Sequence, residues 1–117
     1  MEKQNKVDLI EEQFKLIAEL YPEVLTEGYE KWSNLMVTAI VGELGEFTTC
    51  YQAFPWKKPG VDSNMALEEL IDVLHFVLEL FIIWDIRSFD EIEEMYLAKL
   101  QKNLARGRVH NKDSHAH

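Results

Sequence analysis

Two acidic couplets, Glu43-x-x-Glu46 and Glu69-x-x-Asp72, each interrupt a stretch that is otherwise apolar. Residues three apart on an α-helix project from nearly the same side, so each couplet makes one carboxylate ledge. Met36, Val37, Ala39, Ile40, Val41, Leu44 and Phe47 surround the first ledge, and Leu67, Leu70, Ile71, Val73, Leu74, Phe76, Val77 and Leu78 surround the second. Helices of this composition belong in a bundle core, where ionised carboxylates without partners are strongly unfavourable. A hard divalent cation such as Mg²⁺, bound by carboxylate oxygens and water, relieves that penalty and often arrives with substrate phosphates. One such couplet alone is more often a pair of solvated acids at the edge of an apolar stripe. Two couplets on successive helices, able to face one another, point to a metal site.

The rest of the chain reads as further helices. Val7, Ile10, Phe14, Ile17, Ala18 and Tyr21 recur at helical spacing, which predicts a first helix from about Val7 to Leu20, stopped by Pro22. A second runs from about Tyr29 to Gln52; Gly42 and Gly45 inside it lower its propensity and would admit a close neighbour. Ala53 to Asn64, with Phe54, Pro55, Trp56, Lys57, Lys58, Pro59 and Gly60, is the Pro/Gly-rich loop that joins the two acidic helices. A third helix is expected from about Asn64 to Trp84. Ser88-x-x-Glu91 matches a capping box opening a fourth, and Gly107 is its expected stop. Asn111 to His117 reads as a disordered tail. With no period-two alternation and no internal repeat, the expected class is all-α, a four-helix bundle-like core in a single domain over residues 1–110.

Charge and cysteine content narrow the partners. The formal net charge is −9, from 21 acidic and 12 basic residues. No nucleic-acid polymer is expected as a partner without a localised basic face, whereas a small anion escorted by a metal is compatible. Cys50 is the sole cysteine and reads as a small packing residue. With no intrachain disulfide and no signal-peptide pattern at the start, the expected compartment is the cytoplasm. The most apolar run, Leu70 to Trp84, is interrupted by Asp72, His75 and Glu79 and is too short to span a bilayer, so no membrane partner is expected.

The fourth helix carries Tyr96-x-x-Lys99-x-x-x-Asn103-x-x-Arg106, whose steps hold four polar side chains on one stripe suited to an anion; the plainer alternative is a solvated face. Its apolar positions, Ile92, Met95, Leu97, Leu100 and Leu104, are expected to turn toward the core.

Together these motifs resemble the all-α nucleoside triphosphate pyrophosphohydrolases, a family that includes MazG-like enzymes and the dimeric dUTP diphosphatases. Those enzymes carry an E-x-x-E couplet followed by E-x-x-D, as Glu43-Leu-Gly-Glu46 precedes Glu69-Leu-Ile-Asp72 here. The stretch Glu68 to Phe76 is similar to the dimeric dUTP diphosphatases and their phage relatives, and Tyr96, Lys99, Asn103 and Arg106 are similar to their Y-x-x-K-x-x-x-N-x-x-R series. Trp56-Lys57-Lys58 resembles a Trp/Lys-rich segment after the first couplet, although here it is shorter and shifted. The likeness spans about Lys31 to Arg108.

The resemblance implies an all-α NTP pyrophosphatase fold and a reaction in which water attacks a nucleoside triphosphate to release a monophosphate and pyrophosphate. Mg²⁺, with Mn²⁺ able to substitute, would be held by Glu43, Glu46, Glu69 and Asp72, and Glu43 or Glu46 would act as general base. Lys99 and Arg106 would hold phosphate oxygens, Asn103 sugar or phosphate, with Tyr96 and Lys57 beside them. Trp32, Trp56 or Phe54 would stack on the base, unless they merely pack. The implied substrate is dUTP, with dCTP or a broader house-cleaning range as alternatives. The family also implies a homodimer or homotetramer, for which Trp32, Phe81, Ile82, Ile83 and Trp84 offer apolar surface. Two rivals remain. A di-iron carboxylate bundle wants Glu-x-x-His from two helices, where this chain has Asp72-x-x-His75 once, with Glu79 one turn on. A non-catalytic oligomerisation or regulatory domain would have no need of all four acids.

Overall fold

Every regular element among the described residues is helical. The computed structural model describes residues 6–51 and 60–115, with side chains described as far as Val109. The helices are α1 (Leu9–Leu20), α2 (Glu23–Thr26), α3 (Tyr29–Thr48), α4 (Ser63–Ile83) and α5 (Phe89–His115). The all-α class expected from the periodicity is the one observed.

α3 and α4 form an antiparallel hairpin and the most extensive packing in the chain. At one end the Asp62 amide donates to the Cys50 carbonyl at 2.8 Å. At the other, Trp84 Nε1 donates to Ser33 Oγ at 2.9 Å and the Trp84 ring lies 4.8 Å from that of Tyr29. α1 packs across α4 near the Trp84 end, because Ile10 and Ile17 share one face of α1 and meet Leu78 and Ile82 of α4. Val24 of α2 completes this buried cluster, with Phe14, Trp32, Phe81, Phe89 and Ile92 packed around it. Gly28, at φ 100°, makes the turn from α2 into α3 in a conformation costly for other residues.

Asp8 ties the N-terminal ends of α1 and α5 together. Its carboxylate accepts from Ile10 N and Glu11 N, capping α1, and from Phe89 N at 2.9 Å, capping α5. Glu91 closes the same corner by accepting from the amides of Arg87 and Ser88, the carboxylate half of the capping box expected there.

Several expectations differ from the structure. α5 runs through Gly107 to His115, so residues 111–115 of the expected tail continue the helix. Gly42 and Gly45 meet no close neighbour among the described residues. The apolar runs around the couplets are not buried within one chain: Val37, Val41, Leu44, Leu67, Leu70, Ile71 and Leu74 are all exposed, as are Met95, Leu97, Leu100 and Leu104 of α5. Among the described residues the main buried cluster lies at the Trp84 end of the hairpin, Cys50 is buried apart from it at the other end, and α5 meets the body through α1 and its own first turn without packing along α3 or α4. The radius of gyration is accordingly 18.9 Å, against about 13 Å for a compact domain of roughly 100 residues.

Candidate metal centre

Antiparallel pairing slides the two acidic ledges past each other until they face. One carboxylate oxygen from each of Glu43, Glu69 and Asp72 lies within 4.8 Å of the others. Glu43 comes from α3, and Glu69 and Asp72 sit one turn apart on α4. Glu46, one turn beyond Glu43, stays outside this group, yet its charge still reaches Glu69. Three of the four acids expected at a metal site are thus drawn together, and the fourth borders them.

Glu69 is the centre of the arrangement. Its Oε2 is shielded from solvent and has no hydrogen-bond donor among the described residues. Its pKa is raised to about 7, first by the adjacent Glu43 carboxyl, with which only a protonated Glu69 could hydrogen-bond, then by lost hydration, then by the negative charges of Glu43, Asp72 and Glu46. Crowded carboxylates with an orphaned oxygen are a hard, all-oxygen donor set with room for a positive charge, which fits Mg²⁺. His75 and Glu79 do not belong to the group, so among the described residues the mixed histidine–carboxylate pattern of a di-iron site does not form.

Beside the ledges lies a cleft of about 420 Å³ that Glu43 and Asp72 share with Gln13, Leu16, His75, Phe76 and Glu79. Within it, Gln13 Nε2 donates to Glu79 Oε1 at 2.9 Å, joining α1 to α4. Burial pushes the Glu79 carboxyl up, while Gln13 and the neighbouring His75 pull it back without reversing the shift. His75 and Glu79 stand out in the sequence as a polar row following Asp72. Gln13 was missed, although a signal exists: it lies three residues after Ile10 and four before Ile17, a polar residue on the buried face of α1.

The other expected site residues are not gathered here. Trp32 packs against the hydrophobic core with its Nε1 buried and unpartnered, away from the cleft. Tyr96, Lys99, Asn103 and Arg106 are exposed along α5, which does not pack on the acidic hairpin of its own chain. Phe54, Trp56 and Lys57 lie outside the described residues. No described helix is long and apolar enough to cross a membrane.

A protein-family model described as dUTPase matches residues 5–106, which takes in α1 to α4, the cleft and the α5 series. No curated protein and no solved structure gives a significant match.

Proposed function

The chain belongs to the dUTPase family, and from that premise we propose that it is a nucleoside triphosphate pyrophosphohydrolase, dependent on Mg²⁺ with Mn²⁺ as a substitute, acting on dUTP. The observation that carries this reading is the convergence of Glu43, Glu69 and Asp72 around the unpartnered Glu69 Oε2. These three residues would hold the ion. Mg²⁺ bound there would neutralise charge on phosphate oxygens and acidify water.

Glu46, outside the cluster but near enough for its charge to reach Glu69, would take the proton of the attacking water. The water oxygen bonds to the α- or the β-phosphorus, the bond from that phosphorus to the oxygen bridging the two breaks, and the departing half leaves with that oxygen and the electron pair, giving monophosphate and pyrophosphate. The cleft bordering Glu43 and Asp72 takes the base: Leu16 and Phe76 supply apolar wall, and Gln13 and His75 supply polar groups.

The α5 series finds its place in an assembly. Lys99, Asn103, Arg106 and Tyr96 are remote from the carboxylates of their own chain, and the acidic hairpin and the α5 arm both leave apolar residues exposed. In the homodimer we propose, alone or paired into a tetramer, α5 of one copy lies on the hairpin of the other. Its basic stripe then neutralises the triphosphate held at the partner's acids. Free nucleotides in the cytoplasm, and not nucleic-acid polymers, are the proposed partners.

Hydrolysis of dUTP in ¹⁸O-labelled water tests the reaction directly. Label in the monophosphate or in pyrophosphate, lost when Mg²⁺ is chelated, is the expected result and identifies the phosphorus attacked; labelled orthophosphate as the primary product, or cleavage that survives chelation, would refute the reaction.

A further inference from the structure

The Gln13–Glu79 contact is the one side-chain hydrogen bond joining α1 to α4 among the described residues, and both partners line the cleft beside the metal ledge. A carboxylate can only accept, so Glu79 engages the NH₂ side of the Gln13 amide and no other. The contact thereby fixes which end of the amide is which: Nε2 is held at Glu79 with one N–H to spare, and the carbonyl oxygen, Oε1, is the free acceptor. Without Glu79 the amide could turn over and offer two N–H donors instead, since its two ends differ only in the partners they choose. Among the described residues no lysine or arginine lines the cleft to override this polarity; the other charged or titratable groups lining it are Glu43, Asp72 and His75.

We propose that Glu79 is a positioning residue for base selection: it locks Gln13 so that the cleft presents a carbonyl acceptor. This rests on the reading of the cleft as the base site. The matching base edge is an imide, an N–H flanked by two carbonyls, as in uracil. Cytosine offers a ring-nitrogen lone pair at the same position. Two acceptors, the Gln13 carbonyl and the ring nitrogen, would then face each other, and the bond made to the imide N–H would be lost. Polar mismatch of this kind discriminates far more strongly than a difference in hydrophobic volume. The rival role for Glu79 is a tether that merely fastens α1 to α4, which predicts lost stability without lost selectivity.

The test compares dUTP with dCTP in the Mg²⁺-loaded full-length protein and its Glu79→Gln and Gln13→Met variants. Glutamine at position 79 can accept or donate, so it no longer dictates how Gln13 lies. The dUTP-over-dCTP preference in kcat/KM should fall about ten-fold or more, with the dUTP loss falling on KM and not on kcat. Gln13→Met should lose the preference to the same degree, and adding Glu79→Gln to it should cost nothing further, because Glu79 acts through Gln13. An undiminished preference in either single variant overturns the proposal, as does a double variant worse than Gln13→Met. If the wild-type protein cleaves no nucleotide, the proposed reaction fails separately. Calorimetric binding of dUMP and dCMP then decides: uracil preference lost in Glu79→Gln supports the positioning role, and equal or absent binding in the wild type refutes it.

Discussion

Glu69 shows how one carboxyl can couple metal, proton and fold. Its pKa is raised from 4.5 to about 7 by the neighbouring Glu43 carboxyl, by dehydration and by surrounding like charge, so near neutral pH it competes for a proton whenever no cation is present. Mg²⁺ binding is therefore expected to release a proton at pH 6 to 7, read by calorimetry in buffers of different ionisation enthalpy, and Glu69→Gln should abolish the release. The same shift sets a stability slope in chelator. Between about 4.5 and about 7 the folded chain keeps a proton that the unfolded chain has lost, so stability falls as pH rises through that window and levels off above it. Thermal melts from pH 5 to 8 should show this slope in the wild type and not in Glu69→Gln. Asp8 behaves oppositely. Dehydration alone would raise its pKa, but hydrogen bonds from Phe89, Glu11 and Ile10 together bring it below its ordinary value of 3.8. Its stabilisation is present above pH 4 and is lost as pH falls through the lowered pKa. Because it caps two helices, Asp8→Ala should lower stability by about 1–2 kcal/mol in denaturant unfolding.

At the scale of elements, the end of α4 is built as a helix stop. The Ile86 amide donates to the Phe81 carbonyl and the Asp85 amide to the Ile82 carbonyl, leaving Asp85 left-handed at φ 71°. Asp85→Gly should raise stability by about 1 kcal/mol, since the exposed Asp85–Arg87 ion pair it removes contributes little. Unchanged or lower stability would show the turn to be relaxed with aspartate. What the sequence makes legible at this scale is local. The three-residue spacing of the couplets places Glu43 near Glu69 and Asp72 once α4 packs against α3. The short α2 after Pro22, the passage of α5 through Gly107 and the partnership of Gln13 with Glu79 were not legible. The first two are marginal helix energetics, a glycine in a helix interior costing only about 1 kcal/mol. The third joins residues far apart in sequence, and nothing in the local pattern around Gln13 names its partner. Neither does periodicity say whether an apolar stripe is covered by its own chain: Leu70, Leu74 and Leu100 have the spacing of core residues and are exposed.

For the whole molecule, α3, α4 and α5 leave apolar residues exposed in a lone chain, which is the basis of the assembly proposed above. Sedimentation should show a dimer or tetramer at micromolar concentration, and a monomer would refute the assembly. The placement of α5 across two copies has its own signature. Glu46→Gln and Lys99→Ala homo-oligomers should each be inactive, but mixing them by unfolding and refolding should restore about a quarter of wild-type turnover, from mixed dimers with one intact site. No recovery would place Lys99 at the carboxylates of its own chain.

The central claim is that the acids of the α3–α4 hairpin hold a metal that serves triphosphate cleavage. Its most direct test is pyrophosphate release from a panel of deoxy- and ribonucleoside triphosphates, with Mg²⁺ and with chelator, by the wild-type protein and by folded Glu46→Gln and Asp72→Asn variants. The account predicts Mg²⁺-dependent cleavage with dUTP preferred, and a loss of at least about a hundred-fold in each variant. Cleavage of no nucleotide by the folded, metal-loaded wild type, or full activity in either variant, would contradict it.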